Sequence, residues 1–215
     1  MTANLNAQQK SLQFDFTVQD QTLELGVKYY CASIADSIQI DRLKLYIGHL
    51  AFWKGNKEVY RLEQKYLLLD AEAPESLSIA IPSSIDFDQI RFQFGVDSLT
   101  NVAGVQGGAL DPTQGMYWAW QSGYINFKLE GETPVCPARN NRFQYHLGGF
   151  QAPFGTAQMV QIEIPDSTAM HIHLPLEELF KQLDLRNQYQ IMSPRKEAVQ
   201  LAEVIADLFK AVYED

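Results

Sequence analysis

The chain has 215 residues, with 17 Lys and Arg against 26 Asp and Glu, a formal charge of −9 at pH 7. Its 46% hydrophobic content is that of a globular protein with a packed core. The acid is spread along the chain and no Lys/Arg cluster stands out, which argues against nucleic acid and anionic membrane surfaces as partners; no apolar run reaches the ~20 residues that span a bilayer.

Residues 1–10, MTANLNAQQK, end a run of small residues at Ala7 with Leu5 two places upstream. That resembles the remnant of a signal-peptide cleavage region; an irregular amino terminus fits the same residues. Residues 11–215 read as one domain, since no repeat, low-complexity tract or composition break divides them. Cys31 and Cys136 are the only cysteines and make no Cys-x-x-Cys spacing, which argues against a structural zinc site. In an exported protein they would suit one disulfide; in a reducing compartment they would be free thiols.

Residues 12–18, LQFDFTV, alternate Leu12, Phe14, Phe16 and Val18 with polar partners, the period of a half-buried strand. Residues 37–52 continue that period but change phase around Asp41-Arg42, which predicts a bulge. Further strands are predicted at 59–70, 76–81, 89–96, 124–131, 142–150, 159–164 and 169–174, separated by Gly, Pro and Asn turn residues. Residues 97–123 carry no regular pattern, and an ordered loop longer than about 12–15 residues is usually functional. Helix is predicted at 174–183 and again at 194–213, where Ser193-Pro194 supply the N-cap and first turn and Ala198, Leu201, Ala202, Ile205, Leu208, Phe209 and Val212 form one apolar stripe. The fold class is mainly β, an antiparallel sandwich or barrel-like sandwich with a carboxyl-terminal amphipathic helix.

Phosphate loops, nucleophile elbows and His-Glu-x-x-His are absent, so no residue is assigned a catalytic role and the expectation is a binding protein, not an enzyme. His171 and His173, two apart on a strand, point to one face and could share a metal. His146 lies in FQYHLGGF on a strand of its own. Trp118 and Trp120 close the long loop; they either cap the core or serve a function, and the pattern alone leaves both open.

The segments VDSLTNVAGVQGGALDPTQGMYWAWQSGYINFKLEG and FQYHLGGF resemble the MbnP-like family, the methanobactin-associated periplasmic proteins and their relatives. The order of a Gly-Val-Asp segment, a Met-x-Trp-x-Trp-x-x-Gly-Tyr element and a His-x-Gly-Gly element carries the resemblance. It implies an exported, periplasmic or secreted β protein associated with copper. In some relatives a tryptophan is oxidised to kynurenine by a partner di-haem enzyme of the cytochrome c peroxidase type. The resemblance maps that tryptophan to Trp118 or Trp120 and an imidazole ligand to His146; Met116, beside the tryptophans, is a candidate thioether donor by position, and His171 and His173 are geometric substitutes for the histidine that stands beside the tryptophan in copper-binding relatives. The competing expectation is an extracytoplasmic interaction module that binds a protein or glycan through its aromatic loop.

Overall fold

The computed structural model describes residues 9–121, 123–164 and 171–212. The remnant read at residues 1–10 therefore lies outside the described residues up to position 8, and from Gln9 onward the chain is strand. In chain order the elements are β1 (Gln9–Val18), β2 (Gln21–Thr22), β3 (Lys28–Cys31), β4 (Asp36–Lys54), β5 (Lys57–Arg61), β6 (Tyr66–Asp70), β7 (Ser78–Pro82), β8 (Gln89–Phe94), α1 (Ser98–Val102), β9 (Tyr117–Trp118), β10 (Gly123–Glu132), β11 (Arg142–Gly148), β12 (Gln158–Glu163), β13 (His171–Pro175), α2 (Leu176–Phe180), β14 (Gln190–Ile191), α3 (Lys196–Leu208) and β15 (Lys210–Val212).

Two sheets enclose one core. The smaller runs β15-β13-β1-β2, with β7 also paired to β1; the larger runs β12-β8-β4-β10-β11-β14, with β3, β5 and β6 on β4 and β9 on β10. The alternating residues of both sheets meet between them: Phe14 of β1 packs edge-on against Phe92 of β8 at 5.8 Å, and Phe92 meets Phe209 beyond α3 at 5.2 Å. Most pairings are antiparallel, but β1–β13 and β11–β14 are parallel.

The phase change in β4 is a bulge: Gly131 pairs Ile40 and Glu130 pairs Arg42, so Asp41 has no partner on β10. Gly131 fits there because a Cβ would lie 2.1 Å from the Gln39 carbonyl oxygen. A second irregularity falls at His49, whose φ is +54°, and it splits the predicted 59–70 strand in two. His49 N donates to Lys65 O and Leu62 N to Leu50 O, so the returning chain steps across the bulge between β5 and β6.

The carboxyl-terminal helix is shorter than its stripe suggests. Its N-cap is Arg195, not Ser193, and the helix ends at Leu208. Phe209 is extended (φ −64°, ψ 128°), and 210–212 add to the edge of β13 as β15. Pairing with an available strand edge has outcompeted the helical period. Cys31 and Cys136 are both buried thiols; Cys31 Sγ lies 3.2 Å from Ser33 Oγ, and Cys136 Sγ donates to Arg142 O.

The loop after β8 builds a second, smaller core on the outer face of the large sheet, from Tyr46, Tyr66, Val96, Leu110, Met116, Trp118, Tyr124 and Ile125. Asp97 pins it: Oδ1 accepts from Thr100 N as the N-cap of α1, and Oδ2 accepts from Tyr66 Oη at 2.5 Å and lies 3.1 Å from His49 Nε2. Burial alone would raise the Asp97 carboxyl, but these hydrogen bonds outweigh it and hold it well below the usual carboxylate range. Burial and the bond to Asp97 push the Tyr66 phenol up to about 12.

Asp97→Asn is expected to cost about 1–3 kcal/mol at neutral pH through the lost charged acceptor. A depressed folded pKa contributes stability above the unfolded value of about 3.9 and loses it as pH falls toward the folded one, so the gap between wild type and variant should close in strong acid. Urea unfolding of both proteins at neutral and strongly acid pH measures this.

Candidate functional site

The alternation of β1 sends Leu12, Phe14, Phe16 and Val18 into the core and leaves Asp15 on the outer face of the small sheet. On β13, Ile172 and Leu174 are core residues, so His171 and His173 share that outer face. The parallel register sets Asp15 beside His173 and Gln13 beside His171. Asp15 Oδ2 then lies 2.7 Å from His171 Nδ1 and 3.3 Å from His173 Nε2. One donor atom from each of the three residues falls within 4.8 Å of the others, the only such group of three or more His, Cys, Asp or Glu among the described residues. The side chains are 16–30% exposed, partly covered yet reachable by an ion.

Across β15, Lys210 stands opposite His173. Burial lowers the His173 pKa, ahead of the opposing pull of Asp15, and the nearby Lys210 lowers it further. The shift favours the neutral ring, the form in which an imidazole binds metal.

The tryptophan loop lies on the other side of the molecule. Tyr145 and Leu147 of β11 point into the shared core, which puts His146 on the outer face of the large sheet, away from His171 and His173. His146 Nε2 is 2.7 Å from Glu130 Oε1, and Glu130 Oε2 accepts from Arg42 at 3.1 Å. The hydrogen bond from His146 lowers the Glu130 pKa against the cost of burial. Lys128 pairs directly with His146 across the strands and donates to Gly115 O.

Trp118 is buried and rests on Gly148, where a Cβ would be 2.7 Å from the indole and 2.6 Å from Tyr124 O. Its Nε1 is buried with no protein hydrogen-bond partner. Trp120 is 67% exposed, its ring 5.9 Å from that of Trp118. Met116 is wholly enclosed in the second core.

Trp118, Trp120, His146 and Met116 do not converge on a shared set of donor atoms in this structure. On the loop side His146 is engaged by Glu130 and His49 by Asp97, and the Met116 thioether is sealed among apolar groups. The Asp15, His171 and His173 group does fit: two imidazoles and a carboxylate suit copper or another borderline divalent ion. Asp15 carries no signal of this in the sequence, where it is one polar position of an alternating strand; only the register with β13, 156 residues further on, reveals it.

The molecule is thus a two-sheet β-sandwich with an aromatic loop folded on one outer face and a histidine–carboxylate group on the other. The chain belongs to the MbnP family, whose model matches residues 7–193. Among solved structures it is similar to MbnP from Methylosinus trichosporium, with a TM-score of 0.64 over 89% of this chain and 86% of that one, at 15% sequence identity, a likeness of fold. No curated protein matches the chain.

Gly148→Ala should lower stability by about 1–3 kcal/mol, since its methyl meets backbone as well as indole. The same variant should shift Trp118 emission; chemical denaturation followed by tryptophan fluorescence reads both.

Proposed function

We propose that this chain is an extracytoplasmic copper-handling protein, not an enzyme, and that Asp15, His171 and His173 hold the metal. The observation that carries this reading is the convergence of two imidazole nitrogens and one carboxylate oxygen within 4.8 Å, set by strand register and anchored by core residues on both strands. The resemblance of the tryptophan and histidine segments to copper-associated relatives is what suggests copper as the ion, and membership of the MbnP family supports an extracytoplasmic location. No described helix is long and apolar enough to cross a membrane.

Elemental analysis after copper loading and gel filtration should find one copper ion per chain in the wild type. His173→Ala should lose it and His146→Ala should keep it. A wild type without stoichiometric copper would end the copper reading; loss in His146→Ala alone would move the site to the loop.

A second reading concerns the loop itself. Leu99, Val102 and Val105 are 83%, 73% and 58% exposed, and Trp120, further along the same loop, is exposed as well. That exposure favours a docking face, for which a di-haem peroxidase-like enzyme is the proposed partner and Trp120 the indole within its reach. Conversion to kynurenine adds one oxygen and removes one carbon, so intact mass and fragment spectra of protein coexpressed with such an enzyme should place the change at Trp118 or Trp120. An unchanged mass under coexpression would remove this reading and leave the metal site untouched.

A further inference from the structure

The outer face of the large sheet carries a cross-strand row of polar side chains. Register places Arg42 of β4 beside Glu130 of β10, Glu130 beside Gln144 of β11, and Gln144 beside Gln190 of β14. Arg139, in the turn before β11, and Arg142, its first residue, join this row as the lining of a cavity of about 640 Å³. That is within the roughly 300–1,000 Å³ of small-molecule sites. Three guanidinium groups and one carboxylate line it, an excess of positive charge in a chain of net charge −9. The carboxylate is already answered: Glu130 Oε2 accepts from Arg42 at 3.1 Å, and Oε1 lies 2.7 Å from His146 Nε2. The other two arginines are not. Arg142 has one long contact, 3.4 Å to Asp41 Oδ2, while Glu132 opposite it faces Lys28 at 3.9 Å. Arg139 is exposed and has no hydrogen bond or ion pair among the described residues.

We propose that this cavity binds a small organic anion with two or more carboxylates, held chiefly by Arg139 and Arg142. The site is separate from the metal reading, which lies on the outer face of the small sheet. A guanidinium fork matches one carboxylate through two parallel hydrogen bonds, so two arginines free of close partners suit two carboxylates on one molecule. The backbone that carries them is braced. Asn140 and Asn141 take left-handed φ of 60° and 55°, which asparagine tolerates, and Asn141 donates from N to Ala138 O and from Nδ2 to Cys136 O, each at 2.9 Å. On the facing wall Tyr145 Oη donates to Gln188 O at 2.6 Å and Gln144 N to Tyr189 O at 2.9 Å, which fixes this segment against β11. Gln190 Nε2 donates to Gln144 Oε1 at 3.2 Å and leaves the Gln144 amide N–H groups for a ligand oxygen.

The probe is citrate, titrated calorimetrically into the full chain at constant ionic strength and without added metal. One saturable site per chain is expected, with acetate, a single carboxylate, on the order of 10-fold weaker or more. Arg139→Gln and Arg142→Gln should each weaken citrate on the order of 10-fold. Lys57→Gln removes the same charge from β5, which pairs with the other end of β4, and should leave the affinity unchanged. Arg139 and Arg142 are both exposed, and thermal unfolding of each variant checks that the fold is kept; should Arg142→Gln fold poorly, Arg139→Gln decides alone. Absence of saturable citrate binding, an equal loss in Lys57→Gln, or an affinity unmoved by Arg139→Gln overturns the proposal. Displacement of citrate by equimolar sulfate overturns the carboxylate class.

Discussion

The backbone pairing of β4 is the constraint on which the other elements depend. Its 19 residues carry β3, β6 and β5 in turn along one edge and β10 and β8 along the other. A strand that long would twist away from its partners if it were regular, and a bulge both bends a strand and increases its local twist. Irregularities at Asp41 and His49 divide it into three stretches, which face β3, β6 and β5 in turn on one edge, while β10 and β8 each bridge an irregularity on the other. The hinge at His49 brings its ring against Tyr66 at 5.6 Å, and that ring sits beside the carboxylate that anchors the aromatic loop. The bend in the spine therefore also determines where the loop can be fastened.

Much of this was legible in the residues. Alternation located the main strands, and the phase change at Asp41-Arg42 marked a bulge that the register between β4 and β10 displays. What local pattern could not convey was competition among distant partners. Lys210, Ala211 and Val212 continue a helical stripe in sequence, yet they form a strand because β13 presents an open edge beside them. Short strands such as β2, β9 and β14 are two residues each and exist only through pairing, so no periodicity could announce them.

The candidate site shows the same division. His171 and His173 could be placed on one face from their spacing alone. Asp15 could not be joined to them, because parallel register between strands at opposite ends of a chain is a property of the whole fold. The tryptophans illustrate the reverse case: their motif was conspicuous, but only the structure separates a buried Trp118 with an unpaired N–H from a Trp120 left in solvent. The aromatic loop and the histidine–carboxylate group have the full thickness of the sandwich between them, so chemistry at one face need not disturb the other.

The parallel pairing of β1 with β13 has a consequence for how the chain reaches this state. A chain that emerges amino terminus first, from a ribosome or through a membrane pore, delivers β1 early and its central partner only about 150 residues later, a pairing of the high contact order that slows folding. Until then one edge of β1 has no strand to pair with, although β7 can take the other. The smaller sheet can close only once β13 and β15, near the carboxyl terminus, are free, so it is completed in a late step.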